Sequence, residues 1–77
     1  MNRYGFTVRV AGLNLHEDYE DALYAAGCDD ALVLVQNGEL LLDFHRTGHT
    51  FDEAVMSAKQ NVERAGGKVI EVEPLPD

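Results

Sequence analysis

The stretch ALVLVQNGELLLDF, residues 31–44, decides the fold. It contains a continuous apolar run, residues 31–35, and a second strand pattern, residues 40–44, separated by a segment that includes Asn37-Gly38. A two-residue turn between antiparallel strands needs positive φ at its central positions, and Asn-Gly takes that geometry at little cost. The stretch therefore reads as a tight β-hairpin in the middle of the chain, and the flanking segments must arrange themselves around it.

Toward the N-terminus, Tyr4, Phe6, Val8 and Val10 alternate with Gly5, Thr7 and Arg9, the period of a strand with one buried face. Gly12 ends that pattern. Asn14 and Glu17 stand at capping-box spacing and predict a helix whose apolar stripe is Leu15, Tyr19, Ala22, Leu23 and Ala26, stopped by Gly27. Toward the C-terminus, Thr50 and Glu53 form a second capping box, and Phe51, Ala54, Val55, Ala58, Val62 and Ala65 keep one stripe until Gly66-Gly67. Residues 69–72 make a last strand, after which Pro74 and Pro76 close off regular structure.

The resulting order is β-α-β-β-α-β, the split βαβ arrangement. It predicts an α+β, ferredoxin-like sandwich: a four-stranded antiparallel sheet in the order 4-1-3-2 with two helices on one face. Seventy-seven residues hold one modest core, so residues 1–73 are expected to form a single domain and residues 74–77 a disordered tail.

Two helices cover only one side of a sheet. The covered side is expected to take Phe6, Val8, Val10, Leu40, Leu42, Phe44, Ile70 and Val72. On residues 31–35 both parities are apolar, so either Val33 and Val35 or Leu32 and Leu34 must join Thr7, Leu41 and Val69 on the open side, bordered by Arg9, Asp43 and Glu71. Taking the valines as the outward pair, the expected interface is Thr7, Arg9, Val33, Val35, Leu41, Asp43, Val69 and Glu71. Apolar patches of this kind on small proteins mark contact with another surface, here a protein partner or a second copy in a homodimer.

Fourteen acids against six bases give a formal charge of -8, which opposes phosphate backbones and anionic membranes. Neither direct nucleic-acid binding nor membrane association is expected. Cys28 is the lone cysteine, the N-terminus has no signal-peptide pattern, and no apolar run nears the roughly 20 residues of a membrane span. A cytoplasmic protein is expected. Glu17, Asp18, Glu20 and Asp21 gather at the start of the first helix. As an acidic surface they suit a basic protein partner, and so also an inhibitor or antidote, of the antitoxin or anti-CRISPR kind, that blocks a nucleic-acid-binding surface.

Catalytic signals are missing. His45 and His49 have zinc-finger spacing, with Asp43, His16 and Cys28 as conceivable further ligands, but no cysteine pair accompanies them and they read as solvent-facing imidazoles of a loop that contains Gly48. Cys28 lies beside Asp29 and Asp30, whose charge discourages a thiolate, so it reads as a buried structural thiol. Gly66-Gly67 follows a helix instead of opening one, so it is no phosphate cradle. No catalytic residue, metal site or cofactor is expected, and Arg46 reads as a structural clamp on Asp30.

The segments Ala26-Gly27-Cys28-Asp29-Asp30-Ala31, Leu42-Asp43-Phe44 with Arg46, and residues 51–58 with Glu53-Ala54 and Ser57-Ala58 resemble the N-terminal domain of a group of bacterial predicted DNA-binding proteins. In that group a domain of this element order precedes a helix-turn-helix, and Val72-Glu73-Pro74 matches the passage into it. The resemblance implies a non-enzymatic module that pairs or regulates in transcriptional control, with Asp30, Phe44 and Arg46 as its characteristic positions. The 77 residues hold no helix-turn-helix, so any DNA contact belongs to that second part. His45 stands where the group has an acid.

Overall fold

The computed structural model describes residues 2–15 and 17–76. In chain order it contains β1 (Asn2–Ala11), α1 (Tyr19–Ala25), β2 (Ala31–Gln36), β3 (Glu39–Gly48), α2 (Phe51–Arg64) and β4 (Lys68–Pro74). The strands form one antiparallel sheet in the order β2-β3-β1-β4, the expected 4-1-3-2 read from the opposite edge. The chain is thus an α+β sandwich with the ferredoxin-like order of elements.

The hairpin forms as its dipeptide requires. Asn37 and Gly38 take φ of 55° and 78°, and Gln36 pairs with Glu39 across them. β3 extends beyond the expected end at residue 44, because β1 begins at Asn2 and supplies partners as far as Gly48. Gly48 is consequently a buried strand residue, not part of a loop between two histidines, and His45 lies within β3.

Thr50 caps α2 as expected, its side chain accepting from the Glu53 backbone N–H at 3.1 Å. At the other end Gly66 N–H donates to Glu63 O and Gly67 N–H to Val62 O, each at 3.0 Å, a Schellman closure. Between these caps Ala54, Ala58 and Val62 face the sheet.

α1 departs from expectation. Asn14 does not open it; its carbonyl accepts from Glu17 N–H at 3.1 Å, closing a turn, and the helix starts only at Tyr19, after Asp18. Asn favours the first position of a turn for the same reason that it favours a helix cap, so the spacing fits both. The short helix buries Leu23, its C-cap residue Ala26 is also buried, and Ala22 is exposed.

The core lies between helices and sheet: Phe6, Val8, Val10, Leu40, Leu42 and Phe44 from the strands meet Leu23, Cys28, Ala54, Ala58 and Val62. Phe6 and Phe44 are directly opposed on β1 and β3 and stack at 5.4 Å, while Phe51 of α2 meets Phe6 edge-on at 5.8 Å. Fully burying side chains of this size is worth roughly 1.5–3 kcal/mol each.

β4 supplies the second correction. A bulge between Arg9 and Val10 sets Val69 opposite Val10 and Glu71 opposite Arg9, leaving Ile70 as the extra residue. Val69 therefore packs on the core and Ile70 is 51% exposed, the reverse of simple alternation. The strand also runs past residue 73: Pro74 pairs with Phe6, and Leu75 N–H donates to Gly5 O at 3.0 Å. Asp77, at the end of the expected tail, lies outside the described residues. Among the described residues no helix is long and apolar enough to cross a membrane.

Candidate interaction surface

Directly paired residues in an antiparallel sheet share a face, so the register locates the surface that the helices leave open. Two rows cross all four strands there. One runs Leu32, Asp43, Thr7, Glu73; the next runs Leu34, Leu41, Arg9, Glu71. The face is graded from apolar at the β2 edge to acidic at the β4 edge.

Thr7, Arg9, Leu41, Asp43 and Glu71 are thus brought together as expected, but Val33, Val35 and Val69 are not. Val33 pairs with Leu42, Val35 with Leu40 and Val69 with Val10, all on the core side. The bulge moves Val69. For β2, the two-residue turn sets Leu34 opposite Leu41, so the leucines take the outward positions. Leu32 is 62% exposed and Leu34 41%.

The polar centre of the face is internally bonded. Thr7 Oγ1 donates to Asp43 Oδ1 at 2.7 Å, and Arg9 lies 3.5 Å from both Glu39 and Glu71. Glu73 is held above its ordinary carboxylate value, first by a hydrogen bond with Glu71 and then by that neighbour's charge, with Arg9 opposing. The carboxyls at the β4 edge crowd one another, whereas the β2 edge carries no charge at all.

On the core side, beyond Phe44, Arg46 uses all five guanidinium donors. Nε and Nη2 hold the two oxygens of Asp30 at 2.7 Å each, Nη2 also reaches Gly27 O at 2.9 Å, and Nη1 donates to Ser57 Oγ at 3.1 Å and Asn61 Oδ1 at 2.9 Å. The guanidinium carbon lies 4.9 Å from the centre of the Phe44 ring. One side chain thereby ties the end of α1, the approach to β2 and the face of α2. The Asp30 hydrogen bond raises the Arg46 pKa further, against the opposing effect of burial. Ser57 and Asn61 were missed from sequence, although two polar residues at i,i+4 beside an apolar stripe share a face and can meet one half-buried polar partner.

Cys28 is buried and free beside this clamp. Burial chiefly pushes its thiol above the ordinary value of 9.0; Arg46 pulls the other way, and Asp30 and Asp29 add to the rise. Glu17, Asp18, Glu20 and Asp21 are all exposed, the first two before α1 and the last two in its first turn. His45 and His49 are exposed, and the described residues contain no metal-binding cluster of histidine, cysteine and carboxylate side chains. His16 lies outside the described residues.

Fold and surface together define a ferredoxin-like α+β domain with one sheet face uncovered and apolar along one edge. Comparison with family models, curated proteins and solved structures finds no match.

Proposed function

We propose that the domain is a non-catalytic protein-interaction and dimerisation module whose contact surface includes the open sheet face. The observation that carries this reading is the row of leucines there: Leu32 and Leu34 stand exposed beside Leu41 on a chain of net charge -8 that has ample polar residues for a solvated face. Arg46, the most elaborately bonded side chain among the described residues, has no donor left for a substrate, and its partners are structural. A pairing module fits the regulatory setting implied by the resemblance to bacterial DNA-binding proteins.

Sedimentation velocity across a wide concentration range tests the reading. Self-association is expected, with Leu34→Lys and Leu41→Lys shifting the population to monomer while the fold persists; a strict monomer whose behaviour neither change alters would overturn it.

A second reading rests on a different observation. Glu17, Asp18, Glu20 and Asp21 all project to solvent, and none enters an ion pair among the described residues. This supports an acidic inhibitor or antidote that covers a basic nucleic-acid-binding surface. Its mark is a complex with a basic partner that dissociates steeply as salt rises.

A further inference from the structure

The exposed apolar side chains of β2 are not confined to the open face. Leu32 and Leu34 project from it at 62% and 41% exposure, while Val35 lies on the helix side and is still 51% exposed. What the two sides share is the strand edge between them. The two edges of the sheet also differ. β4 carries Glu71, Glu73, Pro74 and a bulge, all devices that block pairing with another strand. β2, with the sequence ALVLVQ, carries none of them.

The direction of the free backbone groups follows from the turn. Residues flanking a two-residue turn exchange both hydrogen bonds, so Gln36, Leu34 and Leu32 point their N–H and C=O groups at β3. The bond from His45 N–H to Asp30 O at 3.2 Å continues the same phase. Ala31, Val33 and Val35 therefore aim their backbone groups outward, where no described strand of the chain receives them.

We propose that two copies of the chain pair β2 against β2, antiparallel about a twofold axis at Val33, joining the two sheets into one. The occupant of the edge is a second copy because the strand is complementary to itself. With Val33 opposite Val33 of the second copy, Ala31 falls opposite Val35 and Leu32 opposite Leu34, so each apolar residue meets an apolar one on its own face. Shifting the register by two residues either way sets a leucine against Gln36 or against Asp30. The outward residues then form hydrogen-bonded pairs along the whole segment, about six bonds in all. Charge selects the same edge: between two copies of net charge -8, an uncharged strand is where self-contact meets least repulsion, and Asp30, already held by Arg46, falls opposite neutral Gln36.

This inference rests on the dimerisation reading, and the experiment separates the two. Amide exchange by NMR is measured at low and high protein concentration beside sedimentation velocity, for the native chain, Val33→Pro, Leu32→Glu and Leu41→Lys. The Val33 N–H makes no bond to β3, so the proline removes an edge donor without removing an internal one. Protection of the Ala31, Val33 and Val35 amides is expected to rise with concentration, and Val33→Pro is expected to weaken the dimer at least about tenfold. Should the proline disturb folding, Leu32→Glu, at an exposed site, must produce the same loss. A dimer that leaves those three amides unprotected and yields only to Leu41→Lys would overturn edge pairing and keep the interaction reading. A native chain that stays monomeric at every concentration would overturn both.

Discussion

Arg46 shows most directly how one residue organises this chain. Its side chain is 13% exposed and that of Asp30 30%, so the pair is partly shielded from solvent, and the remaining donors satisfy Gly27 O, Ser57 and Asn61. Lysine keeps the charge but is a point donor that cannot span five acceptors on three segments. Arg46→Lys is therefore expected to cost about 2 kcal/mol, below the figure for a fully buried pair, as read by urea denaturation. The neighbouring thiol gives a pH test. Because the folded chain holds the Cys28 proton more tightly than the unfolded chain, its contribution is fully present below the ordinary value of 9.0 and is lost as pH rises through the elevated folded value. The difference in melting temperature between the native chain and Cys28→Ala should stay constant at neutral and acid pH and change only on the alkaline side, where the native chain falls more steeply.

At the scale of elements, two glycines set hairpin and helix in place by opposite means. Gly38 has nothing within 4 Å of an added Cβ, yet its φ of 78° belongs to the left-handed region. Gly67 has no positive φ to maintain, but a Cβ there would lie 2.7 Å from Val10 Cγ1 and 3.0 Å from Val62 Cγ1, with buried residues on both sides. Gly38→Ala should cost about 1 kcal/mol through the backbone, and Gly67→Ala about 2–3 kcal/mol through overpacking. Chemical denaturation of the two variants checks the order; equal losses would contradict it. The same contrast explains what could be read beforehand. The Asn37-Gly38 turn, the Thr50 cap and the apolar stripe of α2 are local, and with the strand patterns they determine element order and sheet topology. The face of β2 was also legible by counting: a two-residue turn puts Leu34 opposite Leu41, and Leu40 and Leu42 already belong to the core. The bulge at Ile70 was not, because the extra residue is defined by what β1 offers across the ladder, a non-local fact. Nor was the start of α1, where Asn14 and Glu17 suit a turn as well as a cap.

For the whole molecule, charge and compactness together determine how association should behave. The radius of gyration is 11.6 Å, where roughly 11.5 Å is expected for a folded domain of this length, so the single chain is already fully collapsed. Association then adds to a finished fold instead of completing one, and its strength depends on what opposes approach. Two copies each carrying -8 repel at every orientation, and the uncharged β2 edge reduces that repulsion without cancelling it. Screening shortens from about 10 Å at 0.1 M salt to about 3 Å at 1 M, which weakens the long-range repulsion while leaving strand hydrogen bonds and leucine contacts in place. The dimer is expected to tighten several-fold as sodium chloride rises from about 0.05 to about 0.5 M and then level off, as measured by sedimentation equilibrium. An acidic surface gripping a basic partner must respond in the opposite sense, since there the same ions screen attraction. The sign of the salt dependence therefore separates self-association along an uncharged strand from capture of a cationic protein, and a self-association constant that fell with salt would mean that oppositely charged groups, not β2, hold the copies together.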